Sequence, residues 1–139
     1  MNTIHVDIVS AEGEIFTGEA YMLFAPAVMG DVGIAPRHAP LLTNIKPGEI
    51  RVQTPDGGEQ FFYVSGGTME VQPHLVTVLA DTAIRAKDLD EAAAVQAKQR
   101  AEEALRNSSD KIDAAKAQAE LAGTIEQLKL IEKLRKVKS

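Results

Sequence analysis

The chain of 139 residues contains no cysteine and no tryptophan. The first absence excludes disulfides, thiolate metal sites and cysteine nucleophiles. Four Phe and two Tyr are the only aromatics, so a large aromatic binding cleft is not expected. Long apolar runs are missing as well. None approaches the ~18 residues of a membrane-spanning helix, so any membrane association is expected to come through a partner. The opening MNTIHVDIVS lacks the basic and apolar regions of an export signal. There is no excess of positive charge: the formal net charge is −5, which argues against nucleic acid as the main partner. The three histidines, His5, His38 and His74, are too far apart for ligand spacing, and no metal site is expected.

What is present reads as a soluble globular chain, 45% hydrophobic and 25% charged. Its length suits one ordinary domain, or a small domain with an appendage. The charge is unevenly spread. Residues 1–87 hold five Lys/Arg against ten Asp/Glu, and residues 88–139 hold ten of each. Within that second part Lys129, Lys133, Arg135, Lys136 and Lys138 crowd the end, opposed only by Glu132. An acidic body therefore carries a basic tip.

The body reads as strands. Ile4, Val6 and Ile8 alternate with His5 and Asp7, the period of a half-buried strand. Glu12-Gly13-Glu14 is a turn. Ile15 to Ala25 reads as a broken strand, with Gly18 at the break and Pro26 at the end. Gly48 to Thr54 is a strand, joined through Pro55-Asp56-Gly57-Gly58 to Gln60–Ser65 as a hairpin. Gly66-Gly67 turns the chain into a strand over Thr68–Gln72. Pro73-His74 leads to another over Leu75–Ala80, rich in β-branched residues. Short strands at regular spacing predict an antiparallel β-sandwich over residues 1–86.

The pattern then becomes helical. Asp88, three residues before Glu91, predicts a capping-box-like start. From Glu91 to Arg106 alanine dominates, with Ala93, Ala97, Ala101, Ala104 and Leu105 on one face. Asn107-Ser108-Ser109 breaks the pattern, and Asp110 is placed to cap a second helix running to about Lys136. The fold class is thus α+β: a β-sandwich followed by an α-helical hairpin over residues 87–139. An alanine stripe buries little area per residue and makes a weakly held interface. The second helix shows two apolar faces at helical spacing. Ile112, Ala115, Ala119, Leu130, Leu134 and Val137 form one, and Ala114, Ala117, Leu121, Ile125 and Leu128 the other.

The most heavily punctuated stretch is Gly30 to Val52, GDVGIAPRHAPLLTNIKPGEIRV, with three glycines and three prolines. Such punctuation excludes a helix and reads as a built loop that feeds strands and fixes Asp31, Arg37 and His38. No catalytic constellation is found. Glu12 and Glu14 lie in a turn and read as solvated surface. Ser65-Gly66-Gly67 lacks both the nucleophile elbow and the phosphate-loop lysine, and reads as a turn.

That stretch carries a family likeness. Together with Phe62-Tyr63-Val64-Ser65-Gly66-Gly67, Val78-Leu79-Ala80-Asp81-Thr82-Ala83 and Asp88-Leu89-Asp90-Glu91-Ala92, it closely resembles the ε subunit of bacterial F-type, proton-translocating ATP synthases, nearly end to end. The resemblance implies a non-catalytic rotor subunit on the cytoplasmic face of the bacterial inner membrane. It would join the γ subunit to the c-ring and inhibit ATP hydrolysis through its C-terminal helices. Asp31, Gly33 and His38 are then expected to contact the c-ring. Ser108, Ile125, Leu128, Lys129, Lys133, Arg135 and Lys136 are expected to serve inhibition against γ and the catalytic α and β subunits. ATP-sensing members of the family carry [IL]-D-x-x-R-A at the first helical turn. Here that segment is Leu89-Asp90-Glu91-Ala92-Ala93-Ala94, with Ala93 where arginine stands. An arginine offers a planar fork to phosphate oxygens and alanine offers nothing. ATP is thus expected to bind weakly at most, with Arg85 and Arg100 as the cations able to compensate, and no other cofactor is expected. The alternative from another class is a free-standing ATP-sensing binding protein with the hairpin as its lid.

Overall fold

The computed structural model describes the backbone of residues 2–138 and the side chains of residues 2–134. Two compact units meet at a boundary between Lys87 and Asp88.

The first unit consists of ten strands. They are β1 (Ile4–Ser10), β2 (Gly13–Ala20), β3 (Met22–Ala27), β4 (Gly30–Ile34), β5 (Leu41–Ile45), β6 (Gly48–Gln53), β7 (Glu59–Val64), β8 (Gly67–Val71), β9 (Leu75–Ala80) and β10 (Ala83–Arg85). Their path through the sheet is β10-β7-β6-β3-β5-β8-β9-β1-β2, with β4 paired to β3. The alternation expected of β1 is present, with Ile4, Val6 and Ile8 fully buried. Inward-facing Leu23, Ile34, Ile50, Phe62, Met69 and Val76 complete a core of large side chains with no exposure above 1% among them. The phenyl rings of Phe16 and Phe62 pack at 5.4 Å and a 59° tilt, within the range favourable for edge contacts.

The two ends of the path, β10 and β2, lie beside each other, and a side chain joins them. Arg85 Nη2 donates to the carbonyl of Ile15 at 2.5 Å, and its Nη1 donates to Gln60 Oε1 at 3.3 Å. The guanidinium lies 5.7 Å from the Phe62 ring centroid. The nearly closed sandwich is thus completed at this seam by an arginine.

Four sequence expectations need correction here. One pair is parallel: β1 runs with β9, Val6 opposite Val76. Such a pairing joins residues about seventy positions apart, which local patterning cannot reveal. The break between β2 and β3 falls at Tyr21, not Gly18, because Gly18 stays in the ladder opposite Val6. A Cβ at Gly18 would lie 3.3 Å from Phe16 Cζ, so glycine there accommodates the ring. Pro26 does not end its strand. Its carbonyl accepts from the Lys46 amide at 2.9 Å, so the proline sits within β3 where no donor is needed. Lastly, Gly30 to Val52 is mostly strand. It contains β4, β5 and the start of β6, and only residues 35–40 form a loop.

At Ser65-Gly66-Gly67 the chain turns, as read from the sequence. Gly67 adopts φ 146°, and a Cβ there would fall 2.1 Å from the Leu79 carbonyl oxygen. Ser65 Oγ accepts from the Thr82 amide at 2.9 Å, which commits the hydroxyl to the turn.

The second unit follows a 3-10 turn, Ala86–Asp88. It consists of α1 (Glu91–Arg106) and α2 (Lys111–Lys138), packed on each other as a hairpin. The cap of α1 is Asp90, not Asp88. Asp90 Oδ1 accepts from the Ala93 amide at 3.2 Å, while Asp88 closes the 3-10 turn. Asp110 caps α2 as expected, accepting from the Asp113 amide at 2.8 Å. The buried side chains of α1 are Ala94 and Ala101. On α2 they are Ala117, Thr124 and Leu130.

Candidate functional site

Three regions hold the side chains that the sequence singles out. The first is the β3–β4 hairpin with the loop after it. Hydrogen bonds to β5 fix how it is built. The Lys46 amide donates to the Pro26 carbonyl at 2.9 Å, and the Val28 amide donates to the Asn44 carbonyl at 3.0 Å. The even-numbered residues of β3 thus direct their backbone groups away from β4, Pro26 towards β5 and Met22 and Phe24 towards β6, and the odd-numbered ones face β4. Pairing Ala27 with Gly30, Ala25 with Val32 and Leu23 with Ile34 uses those groups. Asp31 and Gly33 are the intervening residues, and both are exposed. They sit on a strand, with His38 beyond it on the 35–40 loop.

That loop is held by its backbone. The Arg37 amide donates to the Pro73 carbonyl at 2.9 Å, and the His38 amide donates to the Ala35 carbonyl at 3.1 Å. Arg37 adopts φ 67°, the one non-glycine residue with positive φ among the described residues. The left-handed region costs a branched backbone roughly 1–2 kcal/mol, so the surrounding bonds must hold it there. The His38 ring is half-buried, with Nδ1 2.7 Å from the Ala39 carbonyl oxygen. No hydrogen bond or ion pair joins His38 to Asp31 among the described residues.

Sequence reading missed the apolar part of this surface. Met29 is 95% exposed at the hairpin tip, beside Val28, and Leu42 on β5 is 74% exposed. Singly exposed apolar side chains are ordinary, but the adjacent pair Val28 and Met29 at one tip is the kind of contiguous apolar surface that marks a contact. The signal was available: two apolar residues directly precede a glycine at a two-residue turn position, Val28-Met29-Gly30.

The second region is the start of the helical unit, where the degenerate ATP motif falls. Asp90 is engaged as the cap of α1. Ala93 is exposed, Ala94 is buried and Leu89 is half-buried. Arg85, the first compensating cation, has both guanidinium ends engaged within the sandwich. It is therefore not free to meet a phosphate. Arg100 is exposed on α1.

The third region is α2. Ser108 lies in the turn before it, its Oγ donating to the Leu105 carbonyl at 2.8 Å. Ile125 and Leu128 are half-buried. Lys129 is exposed and pairs with Glu126 at 3.5 Å, a surface contact worth little. Lys133 is exposed. The side chains of Arg135, Lys136 and Val137 lie outside the described residues, although α2 runs through them. The two apolar faces of α2 differ. Ala114, Ala117, Leu121, Ile125 and Leu128 are all buried or half-buried, whereas Ile112 is 80% exposed and Ala115 and Ala119 are bare. On that second face, among the described residues, Leu130 is buried and Leu134 half-buried.

The carboxyl of Asp56 is held below its ordinary value by the Thr54 hydroxyl and then the Gly58 amide. It lies in the β6–β7 turn. Among the described residues no cluster of three His, Asp or Glu is placed to hold a metal. No helix is long and apolar enough to cross a membrane.

Comparison with known proteins agrees with this architecture. Residues 3–86 match the family model described as the ATP synthase delta/epsilon chain, beta-sandwich domain. Residues 87–132 match that of the ATP synthase delta/epsilon chain, long alpha-helix domain. The chain is 69% identical over 134 residues to the ATP synthase epsilon chain of Nitrosococcus oceani, covering 96% of each. It is 62% identical over 138 residues to that of Halorhodospira halophila, covering 98% of this chain and 97% of the other. Among solved structures, a chain of the Euglena gracilis mitochondrial ATP synthase shares the fold at a TM-score of 0.79 and 17% identity. That match covers 89% of this chain and 78% of the other. A chain of the Tetrahymena thermophila mitochondrial ATP synthase central stalk and c-ring shares it at 0.67 and 13%, covering 94% and 97%. With both family models matched in order and such identity over nearly its whole length, this chain belongs to the ATP synthase epsilon chain family, non-catalytic subunits of that complex.

Proposed function

We propose that this chain is a rotor subunit of the central stalk. Its sandwich joins the γ subunit to the c-ring, and its helical hairpin restrains ATP hydrolysis by the catalytic α and β subunits. It works at the cytoplasmic face of the bacterial inner membrane and reaches that membrane only through its partners. The observation that carries the coupling role is the Val28-Met29 tip, bare in the chain by itself and continuous with exposed Asp31 and Gly33. An apolar tip with a carboxylate beside it on the strand that follows is the composition of a surface made for a partner. The restraining role is supported by the alanine-faced hairpin. A brake needs two states separated by a few kcal/mol, and a seam of small residues provides a shallow well.

The test is a double change, Asp31→Lys with His38→Glu, in the whole complex. Retention on membranes and ATP-driven proton pumping should both fall while the sandwich stays folded by circular dichroism. Unchanged pumping and retention would refute the coupling surface. ATP binding by the free chain should be weak or absent, since Ala93 offers no fork and Arg85 is engaged within the sandwich. Micromolar affinity by calorimetry would contradict that.

A further inference from the structure

The strand β4 has a free edge. Because Gly30, Val32 and Ile34 carry the pairing to β3, the amide and carbonyl of Asp31 and of Gly33 point away from the sheet. Neither residue takes part in a backbone hydrogen bond outside the ladder, and both are exposed. The two ends of the main path, β10 and β2, adjoin each other and are tied by Arg85. Among the described residues the edge of β4 has no such cover. Of the devices that guard an edge it has a short length and the charge of Asp31, but no lysine, no proline and no bulge. Gly33 leaves its outer face flat, because the Phe24 ring fills the space a Cβ would take, 3.2 Å from Cε1. That ring is held in turn by Arg51, whose guanidinium carbon lies 4.3 Å from its centroid.

We infer that β4 is a strand-addition site: an extended, basic segment of a neighbouring subunit pairs with Asp31 and Gly33 and lengthens this sheet by one strand. Two outward donors and two outward acceptors at strand spacing are complementary to an extended backbone and to little else. Charge selects the occupant. Asp31 is the one charged side chain on the edge, and residues 1–87 carry ten acidic against five basic residues. Two such acidic bodies repel, so a second copy of this chain is a poor occupant and a segment with Lys or Arg opposite Asp31 is a good one. The bare Met29 beside the edge adds an apolar contact at one end of the added strand. Who supplies the strand rests on the rotor reading above; that the edge is open does not.

Residue-resolved amide exchange on the full chain, free and within the purified ATP synthase, tests this. In the free chain the amides of Val32 and Ile34 should be protected and those of Asp31 and Gly33 should exchange freely. In the complex, Asp31 and Gly33 should slow by about tenfold or more. Asp31→Pro removes one outward donor together with the edge charge, at an exposed edge position, so retention in the complex should drop by about tenfold. Val32 and Ile34 should stay protected, which shows that β4 remains paired. Entry into the complex with Asp31 and Gly33 still exchanging freely would overturn strand addition while leaving the rotor reading intact. Failure of the chain to enter the complex at all would overturn both. Protection that appears in the free chain as its concentration rises would show a second copy on the edge, and would overturn the assignment to a neighbouring subunit.

Discussion

The sandwich and the hairpin are held together by different side chains. In the sandwich, Ile4, Ile8, Leu23, Ile50 and Phe62 are wholly buried, and each contributes about 1.5–3 kcal/mol of transfer free energy. In the hairpin, three of the five buried side chains among the described residues are alanine: Ala94, Ala101 and Ala117. A methyl group contributes only a fraction of that. Small residues bring helices close, but they leave little free energy to lose when the helices part. Gly123, buried in the middle of α2, lowers helix stability by a further ~1 kcal/mol relative to alanine. A firm body and a loosely held appendage in one chain suit a subunit with one fixed task and one reversible task.

The largest effect should come from the firm half. Phe62→Ala removes a fully buried ring that also packs on Phe16. It should cost about 3–5 kcal/mol, read as a lower urea midpoint for the sandwich. A drop below about 1 kcal/mol would show that the core is looser than its burial implies. Next comes the seam. Arg85→Ala removes two hydrogen bonds and leaves the Ile15 carbonyl without that donor, at about 1–3 kcal/mol. Faster exchange confined to β2 and β10 would locate the damage, and Arg85→Lys should rescue it only in part, because an ammonium cannot span both acceptors.

A smaller loss, of about 1 kcal/mol, is expected on the hairpin side from Asp90→Ala, which deletes the α1 cap. Amides of the first turn of α1 should lose protection with no change in the sandwich. Asp88→Ala should do neither, which separates the observed cap from the one the sequence suggested.

The smallest effect concerns pH. Asp56 has its folded carboxyl held below its ordinary value, by the Thr54 hydroxyl first. A group depressed in this way contributes stability at pH above its unfolded value of about 3.9. The contribution is lost as pH falls through the lower folded value. Asp56→Asn should therefore lower stability slightly at pH above ~4 and flatten the profile below it, the difference from the parent vanishing in acid. A change in the slope of the profile near pH 7 would contradict the assignment.

Much of this was legible in the sequence, and the exceptions have physical reasons. The strand β1 announced itself by alternation, β9 by its β-branched residues, and β6 by the turn signal that joins it to β7. The capping aspartate at 110 and the turn at Gly66-Gly67 were read correctly, because a cap calls for a short side-chain acceptor and the turn for glycine. The strand β4 was not, since Gly30 and Gly33 made GDVGI look like loop. On an edge strand a glycine can serve to leave space for a neighbouring ring. Asp88 imitated a cap through its spacing to Glu91, and only the 3-10 turn at Ala86–Asp88 shows why Asp90 takes the role. The parallel β1–β9 pair has no local signature at all. At the candidate surface, Asp31 and Gly33 were placed on the wrong kind of element but are exposed as required. Met29 was missed because, with β4 read as loop, Val28-Met29 did not stand out as the two-residue tip of a hairpin.

The division of labour between the two units is tested most directly by the ATP hydrolysis rate of the purified complex with and without residues 88–139. Removing the hairpin should raise hydrolysis while the sandwich still holds the rotor together, so that ATP-driven proton pumping persists. An unchanged hydrolysis rate in a complex that still pumps would contradict the account, because the loosely held half would then restrain nothing.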